Sequence, residues 1–145
     1  MTNELEGRTL EFAVNLVAYV SDFPRTDPAG IVGRELLKSG TSIGANYREA
    51  NRAESAEDFI HKTGVVQKEA AETDYWLKIS GRCKMGKQGE AETLANEARQ
   101  LRAIFTTINR KAQRIQAPSR FPLFRCLPIF QWPSLPADLQ SGWVP

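Results

Sequence analysis

Asp58 and His61 are the residues of this 145-residue chain whose types and spacing come nearest to a chemical site. At i, i+3 on a helix, a carboxylate and an imidazole share one face. Di-metal bundles use such a pair twice over, together with further inward carboxylates. The chain holds one histidine, so a metal would have to be shared between subunits. A hydrogen-bonding or interface role is therefore the preferred reading of the pair. Gly40-Thr41-Ser42-Ile43-Gly44 suggests a phosphate loop, but it lacks the Gly-Lys-Ser/Thr ending and lies inside a helical pattern. Small residues that let two helices approach closely explain it better. Nucleophilic catalysis would have to run through His61, and no serine or cysteine stands at a recognisable spacing from it. Cys83 and Cys126 are far apart with no CxxC, which reads as reduced cytosolic thiols. No catalytic residue, metal or cofactor is assigned.

Charge is the second feature with chemical content. The net charge is only +2, but residues 1–97 hold 12 Lys/Arg against 16 Asp/Glu, whereas residues 98–145 hold 7 against 1. Arg99, Arg102, Arg110, Lys111 and Arg114, followed by Arg120 and Arg125, form the basic run. Such asymmetry suits phosphates of RNA or DNA. It also suits a basic helix end set against acidic neighbours.

Four helices must position these groups. The first spans about Arg8 to Asp22, with Phe12, Leu16, Tyr19 and Phe23 on one face and Leu10, Val14 and Val17 widening it. Pro24 and the Arg25–Gly30 stretch end it. The second spans about Ile31 to Arg52, rich in Gly33, Gly40 and Gly44, with a break expected near Ser39-Gly40. Ser55 opens the third, with Asp58 completing an approximate capping box. Its seam is Phe59, Thr63, Val66, Ala70, Thr73, Leu77 and Ser80. The fourth spans about Glu90 to Gln116, with a seam of Leu94, Ala98, Leu101, Phe105, Ile108, Ala112 and Ile115. The expected fold is all-α: an antiparallel up-down four-helix bundle over residues 1–117, with a proline-rich irregular C-terminal tail over 118–145. The tail holds six prolines and several aromatics, and is expected to be partly disordered or packed on the bundle. The acidic N-terminus argues against a signal peptide, and no apolar run reaches the about 20 residues a membrane helix needs. A soluble, cytoplasmic protein is expected.

The stretch Ser39–Asn46, then Glu49-Ala50, Glu54-Ser55, Asp58-Phe59-Ile60-His61-Lys62, Lys68-Glu69 and Glu72-Thr73 with Tyr75-Trp76-Leu77, resembles one family closely. It is similar to the four-helix bundle proteins whose genes were first noticed inside intervening sequences of 23S rRNA. The resemblance implies a bundle over roughly residues 8–116 that assembles into a ring-like homo-oligomer, in known members a pentamer. It also implies a distant link to the accessory proteins of diversity-generating retroelements, which bind a reverse transcriptase and nucleic acid, and it implies no enzymatic activity. The chain departs from the family pattern at Asp74, where an arginine often stands, at Arg48, where an acid is common, and in its tail.

Two roles are expected from these features. In one, an oligomeric helical scaffold binds RNA or DNA through Arg99, Arg102, Arg110, Lys111 and Arg114, with room for a protein partner alongside. In the other, a protein-interaction module without nucleic acid uses the aromatic tail and the polar third helix. Asn46, Glu49, Glu54, Asp58, His61, Lys62, Lys68, Glu69 and Glu72 are candidates for a polar or intersubunit network. The bland alternative for them is a solvated charged face. Self-association is expected because the seams of the third and fourth helices look too wide for one chain to cover.

Overall fold

A computed structural model describes residues 4–117; the tail, with Arg120, Arg125 and Cys126, lies outside the described residues. These contain four helices and no strand: α1 (Glu4–Ser21), α2 (Asp27–Ala50), α3 (Ala56–Arg82) and α4 (Glu90–Gln116). The second helix starts earlier than its sequence suggests. Pro28 stands in its first turn, where the missing N–H has no helical partner to lose, and Thr26 is the extended N-cap residue. No break occurs at Ser39-Gly40, so the helix runs unbroken for 24 residues. Ser55 caps α3 by accepting the Asp58 N–H at 3.1 Å. Gly89, at φ +87°, makes the left-handed residue that turns the chain into α4. None of the four is long and apolar enough to cross a membrane.

Each helix packs on its neighbours in sequence, and α4 returns to touch α1; the α1–α4 seam is much the thinnest. Partner numbers run in opposite directions along the well-packed pairs. Glu49 meets Lys62 and Ser39 meets Thr73 between α2 and α3, while Thr63 meets Asn109 and Asp74 meets Arg99 between α3 and α4. The core is Phe12, Leu16 and Tyr19 from α1, Leu36, Ile43 and Tyr47 from α2, Val66, Ala70 and Leu77 from α3, and Leu94, Ala98, Leu101 and Phe105 from α4. Burying each large apolar side chain contributes about 1.5–3 kcal/mol.

The apolar surplus lies elsewhere than the sequence suggests. The α3 seam is covered within the chain from Thr63 to Ser80, and the α4 seam from Leu94 to Phe105. Leu10, Val14 and Val17 do not widen the inward face of α1: they point outward, 54%, 53% and 50% exposed. Both arcs of α1 repeat at helical spacing, and α2 covers only one of them.

Small residues bring α1 and α2 together. A Cβ on Gly40 would collide with Leu16 Cδ1, one on Gly33 would lie 2.9 Å from Val20 Cγ1, and one on Gly44 3.3 Å from Thr9 Oγ1. Leu16 and Thr9 are fully buried and have little room to yield. Gly30, in the same helix, faces open space. Alanine at the two positions should therefore act with opposite sign. Gly30→Ala should raise stability by up to ~1 kcal/mol through helix propensity. Gly40→Ala should lower it by about 1–2 kcal/mol, overpacking outweighing that gain. Urea unfolding midpoints for the two variants check the contrast, and equal shifts would contradict it.

Candidate nucleic-acid interface

The buried stripe of α4 leaves its opposite side to solvent, and the basic residues fall there. Arg102, Arg110 and Arg114 follow one another with Thr106 at i, i+4 steps, so they sweep along one face, with Lys111 at its flank. All four cations are exposed, and none of their charged groups makes a hydrogen bond or ion pair among the described residues. Acids occupy the first turn of α4 and Arg114 its last, as the helix dipole favours. A shallow concavity of about 420 Å³ lies on this face, lined by Arg99, Arg102, Ala103, Thr106, Thr107 and Arg110. Thr106 Oγ1 sits 3.1 Å from Gln67 Oε1, anchoring the concavity to α3.

Arg99 differs from the other four. It donates to Asp74 Oδ1 at 2.9 Å, Glu92 Oε1 at 2.8 Å and Asn96 Oδ1 at 2.6 Å. The hydrogen bond to Glu92, and then that to Asp74, push its pKa further above the ordinary arginine value. Its charge is already neutralised, so it frames the patch and offers it little. Asp74 also takes Lys78 Nζ at 2.6 Å, so this departure from the family pattern clamps α3 to α4. The other departure, Arg48, donates to the carbonyls of Gly44 and Glu6 and ties α2 to α1. Sequence spacing gave no hint of the Asp74–Arg99 contact, which crosses between helices.

The signature polar residues do not form one network. Lys62 bridges Glu49 at 2.9 Å and Asp58 at 3.9 Å, and its pKa rises chiefly through the hydrogen bond to Glu49. Asn46 donates within its own helix to the Ser42 carbonyl. Glu72 accepts from Trp76 Nε1 at 3.3 Å. Neither Glu69 nor Glu72 pairs with Lys62 or Lys68. Lys68 and Glu54 are exposed and carry no ion pair among the described residues. His61 is exposed and, with Glu57, Ile60, Gln113, Gln116 and Ala117, lines an open groove of about 580 Å³ between the start of α3 and the end of α4. Among the described residues no three His, Cys, Asp or Glu side chains converge as a metal site requires.

Three comparisons with known proteins bear on this geometry. The profile of the family described as 23S rRNA-intervening sequence protein matches residues 3–107. A crystal structure of a protein of unknown function from the S23 ribosomal protein family of Bacteroides thetaiotaomicron is similar at 35% identity and TM-score 0.66, over 72% of this chain and 96% of that one. No curated protein matches.

One candidate residue yields a pH test. Burial, and then the charge of Glu72, raise the pKa of Glu69 above the usual carboxylate range, with Lys38 opposing. The folded state then holds this proton more tightly than the unfolded chain, so stability falls as pH rises through the raised pKa. Glu69→Gln should be more stable than the parent at neutral pH. The difference should shrink as pH falls through that pKa and vanish below the ordinary carboxylate range. Thermal unfolding of both chains across pH 3–8 measures it, and a pH-independent difference would contradict the assignment.

Proposed function

Since the chain belongs to the 23S rRNA-intervening sequence protein family, we propose that it is a non-enzymatic, homo-oligomeric helical scaffold whose α4 face binds RNA or DNA. The opposite run of contacts along neighbouring helices supports an up-down antiparallel arrangement. In that arrangement the C-terminal half of α4 presents one outward face.

The observation that carries the binding reading is the set of four unpaired cations, Arg102, Arg110, Lys111 and Arg114, on a helix half that holds no acid. Elsewhere Arg8 is held by Glu97, Lys62 by Glu49, Lys78 by Asp74 and Lys87 by Asp22. Arg25, Arg34, Lys68, Arg82 and Lys84 carry no ion pair among the described residues, but they are spread over α2, α3 and the connections and do not line one helix face. Unengaged guanidinium groups along one face suit a phosphate backbone, which they would meet without reading sequence. The polar surface of α3, by contrast, mixes ion-paired groups such as Lys62 and Lys78 with unpaired ones such as Glu57 and Lys68 and offers no run of one sign.

Self-association is supported by α1. Leu10, Val14 and Val17 at i, i+4, i+7 expose an apolar stripe that a monomer would leave in water. A second copy is the occupant the family implies, and repetition of the subunit would repeat the basic face.

Two measurements test these readings. RNA binding should weaken steeply with salt. Replacing Arg102, Arg110 and Arg114 together by Gln should reduce the log–log salt slope by about 2 and the low-salt affinity at least about tenfold. Arg99→Gln should have little effect, and salt-independent or undetectable binding by the parent would remove the proposal. Val14→Asp should lower the native mass measured by light scattering while helicity is kept. An unchanged assembly would place the self-contact elsewhere than α1.

A further inference from the structure

Among the described residues, the core of the bundle is open at one end. Asn51 at the end of α2 bonds Glu6 near the start of α1, and Glu49 bonds Lys62. Beyond that level, among the described residues, α1 adds Glu4 and Leu5, and the first turns of α3 and the last turns of α4 continue. The α4 seam keeps its apolar character there, but its cover gives out. Leu101 and Phe105 are fully buried, Ile108 and Ala112 partly, and Ile115 is 66% exposed. At Asn109 the buried line shifts by one residue toward α3: its side-chain amide donates to the Ile60 carbonyl at 2.7 Å and to Thr63 Oγ1 at 2.8 Å. Ile108, Ala112 and Ile115 are left as an apolar strip on the side of α4 turned away from α3.

We propose that residues 118–130 of the same chain fold back over this open end, setting Phe121 and Phe124 against Ile108, Ala112 and Ile115. Three observations carry the choice of occupant. The segment begins directly where α4 ends, at Ala117. Ile108 lies nine positions back along the helix, roughly 13 Å, while Phe121 to Phe124 reach about 13–23 Å from Ala117 in extended form. The sequence from Pro118 to Phe130 supplies Phe121, Leu123, Phe124, Leu127, Ile129 and Phe130, a dense apolar set with prolines that exclude continuation of α4. Charge agrees too. The only ionic groups in the segment are Arg120 and Arg125. At the same end of the bundle Glu54 and Glu57 are exposed and carry no ion pair among the described residues. This inference is independent of nucleic-acid binding and concerns a part of the chain beyond the family match at residues 3–107.

Hydrogen exchange on the full-length chain tests it. Phe121→Asp with Phe124→Asp, and separately Ile115→Asp, should each speed exchange of amides 110–117 about tenfold or more, while amides of residues 63–105 keep their protection. The retained core protection shows that the variants fold. Unchanged protection of 110–117 in both variants would overturn the proposal. So would protection that rises with protein concentration and ignores the phenylalanine changes, because a second copy would then be covering the end.

Discussion

Three buried hydroxyls on α3 set the positions of the other helices. Thr63 accepts from Asn109 of α4 at 2.8 Å, Thr73 meets Ser39 of α2 at 3.1 Å, and Ser80 meets Tyr19 of α1 at 3.1 Å. The hydroxyls also bond carbonyls of their own helices, but a slip of one turn would strand the Asn109 amide and the Tyr19 hydroxyl in an apolar core, at a cost of about 1–3 kcal/mol each. Among the described residues no buried side-chain nitrogen or oxygen lacks a partner. Apolar packing alone tolerates neighbouring registers, whereas these bonds select one. The outward face of α4, and hence the alignment of Arg102, Arg110 and Arg114, follows from that choice.

The same spine explains what sequence could and could not disclose. Thr63, Thr73 and Ser80 are legible as seam positions because their steps of four and three match Val66, Ala70 and Leu77. Their partners are not legible, since Asn109 and Ser39 sit on other helices at separations no local pattern encodes. The start of α2 was obscured by Pro28, which ends a helix when it falls inside one but favours a first turn. In α1 two apolar arcs share one helix. Spacing alone cannot say that Phe12, Leu16 and Tyr19 face inward while Leu10, Val14 and Val17 face out; the glycines of α2 decide it. The basic run of α4 was visible as composition. That Arg99 is spent on Asp74 and Glu92 depends on the α3–α4 register.

Composition and architecture thus divide the labour along the chain. In its first two-thirds acids outnumber bases, and Arg8, Lys62, Lys78 and Lys87 are each held by a carboxylate. Those pairs are exposed enough to contribute little stability, and the cations outside them, Arg25, Arg34, Lys68, Arg82 and Lys84, stand among a surplus of acids. The C-terminal half of α4 is where bases run without an acid. A modest net charge therefore conceals a strongly polarised surface, and localisation of charge matters more to association than its sum.

The thin contact between α1 and α4 has a mechanical consequence. It is closed on its polar side by Arg8, which grips Glu97 with two hydrogen bonds of 2.6 and 2.9 Å and reaches Gln100 at 2.8 Å. The α1–α2 hairpin, by contrast, is locked together through its glycine face. The first helix therefore behaves as a leaf hinged on α2, with a half-exposed ionic latch along its free edge. Thermal opening of such a molecule starts at the latch and travels inward, and it admits water to Phe12 and Leu16 before the α3–α4 pair feels any disturbance.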